Sequence, residues 1–377
     1  MDYAKKWIWE QEDYPNFIYD SKTIEPLIQK VSQEQGYLIA FTSMMNDENL
    51  KQRQFEALTN EAMSTSAIEG EHLNRDSVKA SIQRKLGLLT EDDKKRDDAT
   101  DNLIAVLIDA NTNYNDDLVL EKIFGWHNAI FSKGYSGFDK INVAEFRDEG
   151  TMEVISGPIG KEKTYYVAPP RDILEEEMNK YLQWFNDQEA SLIKAAIAHL
   201  WFVIIHPLDD GNGRITRAIT DLVLSKIESS QISRLYSMSS AINKNRNSYY
   251  EALEATTGYK INANPMDITV WCEWFLNTLH TALCDTKKSL NYILQKTHFW
   301  DKHKESDLNA RQTKVLNKIL DMGVENFDGG LNKRKYIAIA KTTSATASRD
   351  IVDLLEKGCI DHVEGSTGRS TNYTVVL

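Results

Sequence analysis

The sequence predicts a mainly α-helical protein with one β-hairpin near its middle and a C-terminal helical module that ends in two strands. Apolar residues recur at the helical spacing of three and four over most of the chain. Strand-like alternation is confined to two short runs around 153–167 and to the C-terminal end. The 377 residues are long enough for two or three domains, and 41% hydrophobic with 27% charged residues is ordinary for a globular protein.

The overall charge and the cysteines narrow the class of protein. A net charge of -12 argues against a general nucleic-acid or membrane-surface binder. Cys272, Cys284 and Cys359 are far apart and form no metal-ligand spacing among themselves, so we expect reduced thiols. The N-terminus has no sustained apolar core, and the longest apolar run is too short to span a bilayer. We therefore expect a cytoplasmic protein with no membrane partner.

The first fifty residues combine an irregular aromatic segment with a helix predicted from about Thr23 to Met45. The aromatic residues are expected to pack on the following domain and are Trp7, Trp9, Tyr14, Phe17 and Tyr19. A second helix is predicted over 50–69, with Leu58, Ala62, Thr65 and Glu69 on one face and Gly70 as its C-cap. A carboxylate in the last turn is disfavoured by the helix dipole. Glu69 is therefore expected to have a partner elsewhere, with a surface glutamate as the alternative.

The next elements lead to a β-hairpin. A helix is predicted from His72 to Leu88, a charged boundary over 91–98, and helices over 100–113 and 117–131. The runs 153–157 and 163–167 then predict two strands joined around Gly157-Pro-Ile-Gly160. A lone hairpin exposes an edge that can recruit an extended peptide by strand addition. A purely structural hairpin is the alternative.

The stretch His206-Pro-Leu-Asp-Asp-Gly-Asn-Gly-Arg-Ile-Thr-Arg217 is a loop between two predicted helices. An apolar run, 195–205, precedes it, and an apolar stripe continues from Ile215 to Ile227 at helical spacing. Gly211-Asn212-Gly213 opens the second helix. The loop thus lies at a helix N-terminus, where unpaired N–H groups and the positive end of the dipole favour anions.

The residue types in this loop fit phosphoryl or nucleotidyl transfer. The glycines Gly211 and Gly213 allow a phosphate to approach the backbone closely. Arg214 and Arg217, three residues apart, add positive charge with forked donors. Asp210 is an oxygen ligand of the kind that Mg²⁺ prefers, and His206 can exchange a proton near neutral pH. For each residue alone, a polar inter-helix loop is the alternative; their combination favours a site.

The loop resembles the signature of the Fic family, His-x-Phe-x-[Asp/Glu]-Gly-Asn-Gly-Arg-x-x-Arg, with Leu208 where Phe is usual. Leu keeps the apolar character of that loop anchor. Members of this family mostly transfer AMP from ATP to a hydroxyl side chain of a target protein. The resemblance implies that His206 deprotonates the target hydroxyl and that Asp210 holds Mg²⁺. It further implies that Gly211, Asn212 and Gly213 cradle the α- and β-phosphates, that Arg214 contacts the β-phosphate and that Arg217 contacts the γ-phosphate.

Two further stretches resemble parts of this family. Thr65-Ser-Ala-Ile-Glu69-Gly70 resembles its inhibitory motif, [Ser/Thr]-x-x-x-Glu-[Gly/Asn], which implies that Glu69 pairs with Arg217 in place of the γ-phosphate. Phe146-Arg147, the hairpin and Tyr-x-x-Pro-Pro170 resemble the family's flap, which holds the target segment over His206. The N-terminal domain resembles the one that often precedes a Fic core.

The remaining helices of the core carry the candidate contacts to the base. A helix is predicted over 172–185, another from Asn243 to Ala255, and a long one from Asp267 to about Tyr292. In relatives, the region around Asn243–Ala255 borders the adenine, which implies Tyr249 or Tyr250 beside the base. Ordinary core aromatics are the alternative.

The C-terminal module, 305–377, reads as three helices followed by strands at Cys359–Val363 and Asn372–Val376, around a loop at 365–369. This arrangement resembles a winged helix-turn-helix, with the third helix, after Thr343, as the recognition helix. The module carries ten basic and ten acidic residues, which weighs against strong DNA binding. Docking of a protein or of a second copy of the chain is favoured over weak DNA contact.

The sequence therefore predicts an N-terminal helical domain with an inhibitory helix (1–98), a Fic catalytic domain (99–300) and a winged-helix domain (305–377). The predicted activity is Mg²⁺-dependent transfer of AMP from ATP to a target protein bound at the 153–167 flap, autoinhibited by Glu69. Removal of AMP from a modified protein at the same site is one alternative. A nucleotide-sensing DNA-binding regulator is another.

Overall fold

The computed structural model describes residues 7–43, 45, 47–86, 97–156, 163–229, 235–258, 264–363 and 371–377. The chain forms two compact units, Met1–Cys284 and Asp285–Leu377. The segment that resembles the inhibitory motif (65–70), the hairpin and the signature loop all belong to the first unit. The three domain boundaries predicted above stay a prediction.

The first unit is helical, as predicted. Its described helices are α1 (Ser21–Thr42), α2 (Asp47–Ile68), α3 (Arg75–Lys85), α4 (Asp98–Thr112), α5 (Leu120–Ile130), α6 (Leu174–Asp187), α7 (Leu192–Ile205), α8 (Asn212–Ile227), α9 (Met238–Lys244) and α10 (Arg246–Thr257). A long helix, α11 (Thr269–Lys302), starts in this unit and continues into the second.

Helices α7 and α8, on either side of the signature loop, form the centre of the first unit. They pack against each other, α4 packs on α8, and α6 packs on α7. Nearly every residue of α7 is buried, as expected of a helix that is apolar all round. The side chain of Ser191 accepts a hydrogen bond from the Lys194 N–H and caps the helix. The loop that carries the site therefore joins the two most deeply packed helices.

The N-terminal aromatic segment packs on this core, as expected. The rings of Trp7 and Tyr166 meet edge to face with centroids 5.5 Å apart. The indole N–H of Trp201, on α7, donates to the Tyr14 hydroxyl over 2.8 Å, and Phe17 packs on the same indole. Aromatic edge-to-face pairs contribute beyond their buried area.

The predicted β-hairpin is present. Strand β3 (Glu153–Ser156) pairs antiparallel with β4 (Lys163–Val167), and the register shifts between Val154 and Ile155. The predicted turn Gly157–Gly160 lies outside the described residues, as do 91–96 of the charged boundary. A second hairpin, β1 (Tyr135–Ser136) with β2 (Asp139–Lys140), was not predicted, because two-residue strands leave no alternation in the sequence.

Three predicted helix boundaries were wrong. The single helix predicted from Asn243 to Ala255 is two helices, α9 and α10, separated by Asn245 at φ -135° and ψ 56°. The helix predicted from His72 starts at Arg75, where the Asn74 side chain accepts from the N–H groups of residues 76 and 77. The long helix predicted to end near Tyr292 continues to Lys302.

The second unit contains the predicted three helices and two strands. They are α12 (Ala310–Met322), α13 (Lys333–Ala340), α14 (Ser344–Glu356), β5 (Ile360–His362) and β6 (Tyr373–Val375). Their core is centred on buried Leu316, Tyr336 and Leu354. The predicted loop at 365–369 lies outside the described residues. In neither unit does a described helix have the length and apolar character needed to cross a membrane.

Candidate active site

The signature loop is held in shape from within. The N–H of His206 donates to the carbonyl of Phe202, 3.0 Å away, and His206 then takes a left-handed conformation, φ 49° and ψ 58°. The side chain of Asn212 binds both backbone groups of Leu208: its Nδ2 donates to the carbonyl over 2.7 Å, and its Oδ1 accepts from the N–H over 3.0 Å. Leu208 is fully buried and anchors the loop without an aromatic ring. The Asn212 side chain thus supports the loop rather than lining its rim.

His206 is a neutral base in this geometry. Burial lowers its pKa to about 4, so the imidazole is unprotonated at neutral pH. Its Nδ1 lies 3.3 Å from the carbonyl oxygen of Val203. Because a carbonyl can only accept, Nδ1 carries the proton and Nε2 keeps the basic lone pair.

The N-terminus of α8 is open to close approach because of its two glycines. Gly211 has φ 80°, and a Cβ there would lie 2.6 Å from the Phe131 ring. A Cβ on Gly213 would overlap the Glu69 carboxylate. A carboxylate therefore already lies at the helix N-terminus, where an anion is stabilised by the unpaired N–H groups and the dipole.

Arg217 is the partner of Glu69. Its Nη2 donates to Glu69 Oε1 over 2.7 Å, and the Arg217 side chain is 4% exposed while that of Glu69 is 30% exposed. The same guanidinium donates to the hydroxyl of Thr65 over 2.7 Å and to its carbonyl over 2.9 Å. Thr65, on α2, and Glu69, directly after α2, thus hold Arg217 together.

Arg214 is paired as well, with a residue that sequence reasoning missed. Its Nη1 donates to Glu71 Oε2 over 2.9 Å, and its guanidinium lies 4.8 Å from the centroid of the Phe131 ring. Arg214 is buried, whereas the Glu71 side chain is 47% exposed. The sequence did contain one signal for this pair: a second glutamate, Glu71, follows Glu69 by two residues, and a second arginine, Arg214, precedes Arg217 by three.

The carboxylate of Asp210 lies at the rim of the same loop. Its Oδ1 accepts from the Gly211 N–H over 2.5 Å, and its Oδ2 accepts from the hydroxyl of Ser136 on β1. Neighbouring Asp209 instead accepts from the Asn142 N–H over 2.8 Å, which fixes the segment after β2. Asp210 and Ser136 are oxygen donors of the type that suits Mg²⁺. Ser136 was not predicted, because its hairpin was not.

A buried carboxylate attaches α2, the helix before Glu69, to α9. Glu61, on α2, accepts from the Ser237 hydroxyl over 2.7 Å, from the Ser239 N–H over 3.2 Å and from the Ser239 hydroxyl. Glu61 is 5% exposed. Hydrogen bonds to an ionised group are stronger than neutral ones. The helix that carries Thr65 is therefore fixed independently of Glu69.

Arg147 joins the hairpin to the signature loop. Its Nε donates to the His206 carbonyl over 2.9 Å, its backbone N–H donates to the Pro207 carbonyl over 3.0 Å, and its Nη2 donates to the Pro169 carbonyl. The Tyr166 hydroxyl adds a bond of 2.9 Å to the carbonyl of Ile204, at the end of α7. The base of the hairpin is thus tied to the backbone on both sides of His206.

Tyr249 and Tyr250 have different environments. Tyr249 is buried among Trp271, Trp274 and His199, and its hydroxyl lies 3.2 Å from His199 Nε2. It is therefore a core aromatic. Tyr250 is half-buried, with its ring 5.7 Å from the Arg246 guanidinium. Tyr250 is thus the more exposed of the two, and a contact of either ring with the base stays a prediction.

Sequence comparisons match this region to a known family. The sequence model of the Fic/DOC family matches residues 117–224, and that of a domain of unknown function, DUF4172, matches residues 7–88. A protein named protein adenylyltransferase Fic from Aedes aegypti is 27% identical over 195 residues, which is 49% of this chain and 36% of that protein. The protein adenylyltransferase fic-1 of Caenorhabditis elegans is 26% identical over 116 residues, 30% of this chain and 20% of its own length. The chain thus spans about a third or less of the length of these curated relatives.

Solved structures agree at the level of the fold. A Fic family protein from Desulfovibrio desulfuricans G20 aligns with a TM-score of 0.55 and 17% identity over 96% of this chain and 98% of its own. Residues 134–508 of Fic-1 from C. elegans align with a TM-score of 0.50 and 17% identity over 72% of this chain and 74% of theirs. The family match covers the described site from α5 to α8. Residues 117–224 therefore match a Fic domain in sequence, and the chain resembles Fic-family structures in fold.

Proposed function

We propose that this protein transfers AMP from ATP to a hydroxyl side chain of a target protein and that Glu69 inhibits the transfer in the same chain. The observation that carries the proposal is the position of the Glu69 carboxylate. It lies against Gly213 at the N-terminus of α8 and pairs with Arg217, in a place suited to a phosphate. The named relatives support AMP transfer as the reaction class.

His206 serves as the general base in this reaction. Its Nε2 takes the proton of the target hydroxyl, and the oxygen forms a bond to the α-phosphorus of ATP. The bond from that phosphorus to the oxygen bridging to the β-phosphate breaks, and pyrophosphate leaves with the electron pair. The low pKa of the free imidazole rises when the triphosphate brings negative charge nearby, which moves the base closer to its working range.

The helix N-terminus and the arginines stabilise the phosphates. The backbone N–H groups of Asn212 and Gly213 and the guanidinium of Arg214 face the β-phosphate, and Arg217 faces the γ-phosphate. Asp210, with Ser136 beside it, would hold Mg²⁺. When bound, Mg²⁺ neutralises charge on the phosphate oxygens. Positioning and charge stabilisation are most of what phosphoryl chemistry requires of a protein.

The inhibition acts through the arginines. Arg217 already donates from Nε to Thr65 and from Nη2 to Glu69, so this pair of donors is not available to a γ-phosphate. ATP bound beside a paired Arg217 would take a pose in which the α-phosphorus is not aligned for in-line attack. The Glu71–Arg214 pair adds a second contact that nucleotide must displace. Because Glu61 fixes α2 separately, release requires movement of the short segment after Ile68 rather than of the whole helix.

The target protein is proposed to bind at the 153–167 hairpin. Two paired strands leave backbone groups at their outer edges, and extended peptides bind such edges by strand addition. Arg147 and Tyr166 tie this hairpin to the backbone beside His206. This attachment supports binding of the target segment at the hairpin, near the base.

The test uses the full chain with Mg²⁺ and ATP labelled at the α-phosphate. Wild type, Glu69→Gly, and Glu69→Gly with His206→Ala are compared for label on protein and for pyrophosphate release. We expect label on Glu69→Gly, little on wild type, and none on the double variant, which should still bind ATP because His206 does not hold the phosphates. Equal labelling of Glu69→Gly with and without His206 would contradict the mechanism.

The same variants separate AMP transfer from AMP removal. On a target that already carries AMP, removal would need Glu69 to orient a water, so Glu69→Gly would lose activity rather than gain it. Release of AMP by wild type and not by Glu69→Gly, with no transfer by either, would support removal instead.

A further inference from the structure

A second cluster of chemically reactive side chains lies outside the Fic site, between α1 and α11. Glu34 is on α1, and His280 and Cys284 are on the part of α11 that belongs to the first unit. One ligand atom from each residue can be chosen so that all three lie within 4.8 Å of one another, and all three residues are half-buried. The cluster thus combines a carboxylate, an imidazole and a thiol from two helices.

The separation of the imidazole and the thiol fits a shared metal ion. His280 and Cys284 are four residues apart on α11 and so lie on one helix face. The sulfur of Cys284 is 3.6 Å from His280 Nε2 and 3.9 Å from Nδ1. A tetrahedral zinc ion, about 2.3 Å from sulfur and about 2.0 Å from nitrogen, holds the two ligands about 3.5 Å apart. The pair is therefore already near its chelating distance.

The three types of ligand atom indicate which metal ion the cluster would bind. Thiolate and imidazole are ligands of zinc, whereas Mg²⁺ and Ca²⁺ take oxygen ligands. We propose that Glu34, His280 and Cys284 form a zinc site with water as the fourth ligand. The cysteine spacing alone gave no sign of it, because two of the three ligands are not cysteines and one comes from a helix more than 240 residues away.

The other thiols lack this combination. Cys272 is fully buried, and burial raises its pKa to about 12, which disfavours the thiolate that binds metal. Cys359 lies 3.5 Å from His303 Nδ1 in the core of the second unit. Among the described residues, Glu34, His280 and Cys284 are the one group of three such donors close enough to share an ion.

A bound zinc ion would join the N-terminal helix to α11. Gln35, the residue after Glu34, donates to the buried Glu228 carboxylate just after α8 over 2.5 Å. The metal would thus fix α1 at a point already attached to the core. Because a site formed only in the folded chain binds metal only there, zinc stabilises the fold by mass action.

The experiment uses the full chain, freed of metal with a chelator. Zn²⁺ is titrated by calorimetry, Co²⁺ is titrated by absorption spectroscopy, and the thermal midpoint is measured with and without Zn²⁺. The variants are Cys284→Ser, His280→Gln and Glu34→Gln. Cys359→Ser and His298→Gln, the latter at an exposed position of α11, are matched controls.

We expect wild type and both controls to bind one Zn²⁺ per chain, with a cobalt–thiolate charge-transfer band and a higher thermal midpoint. Loss of a direct ligand should weaken binding by more than the roughly 10- to 100-fold that loss of an outer-shell partner costs. Cys284→Ser should also lose the cobalt–thiolate band. The thermal midpoint of Cys284→Ser, measured without metal, checks that this variant folds. An unchanged band in Cys284→Ser, or loss of the band in Cys359→Ser instead, would overturn the proposal.

Discussion

Replacement of Glu69 by glycine is the most direct test of the proposed inhibitory role of the Glu69–Arg217 pair. The variant removes the carboxylate that pairs with Arg217 and leaves Thr65 to hold the guanidinium. Glu69 follows the last residue of α2, so glycine there costs little helix stability. We expect the variant to fold normally, to bind ATP more tightly and to transfer AMP faster than wild type.

The size of the expected rate increase follows from the burial of the Glu69–Arg217 pair. Arg217 is 4% exposed and Glu69 is 30% exposed at an N–O distance of 2.7 Å, so the pair is largely shielded from solvent. A hydrogen bond to a charged group contributes about 1.5–3 kcal/mol. At about 1.4 kcal/mol for each factor of ten, the contact leaves the site competent in roughly one molecule in 10 to one in 150. Its removal should raise initial rates by roughly 10- to 150-fold.

The assay measures the initial rate of AMP incorporation and, separately, ATP affinity by calorimetry, which needs no target. Glu69→Gln keeps the size of the side chain and should give most of the gain, because the charge is what binds Arg217. His72→Gly, at an exposed position of the same segment, is the matched control for added flexibility. If His72→Gly increased the rate as much as Glu69→Gly, or if Glu69→Gly changed neither quantity, the reasoning would be refuted.

Three smaller predictions concern the rest of the site. Glu71→Gln should raise ATP affinity by only about 2- to 5-fold, because the Glu71 side chain is 47% exposed and exposed ion pairs contribute at most about 1 kcal/mol. A gain in affinity as large as that of Glu69→Gly would give Glu71 the main role. In the Glu69→Gly background, Gly213→Ala places a methyl group where the Glu69 carboxylate lay. It should weaken ATP binding by at least about 5-fold, because overpacking costs about 1–3 kcal/mol. Unchanged affinity would mean that no phosphate approaches Gly213. Because kcat/KM for ATP reports the free enzyme, in which burial lowers the pKa of His206 to about 4, this quantity for Glu69→Gly should stay level from pH 8 to 6 and fall only as the pH drops toward 4. A midpoint near 6.5, as for an ordinary histidine, would contradict the lowered pKa of His206.

Local sequence determined the loop and the chemistry it can perform. Twelve consecutive residues carry the proposed base, the proposed metal ligand, the glycines and both arginines, and the flanking apolar runs predict the two helices. These features depend on neighbours three or four residues away, so periodicity and turn chemistry reveal them. The Glu69–Arg217 pair joins residues 148 positions apart, and it could be anticipated only because a short motif resembled one known in a family.

Only the tertiary structure decided which side chains complete the site. Glu71 reaches Arg214 across 143 residues, Glu61 reaches Ser239 across 178, and Arg147 reaches the His206 carbonyl across 59. Tyr249 and Tyr250 are adjacent in sequence, yet packing against Trp271 and His199 makes the first a core residue. A contact between distant segments depends on how helices pack and which faces they bury. The periodicity of a single sequence shows which face of a helix is apolar, but not which element packs against that face.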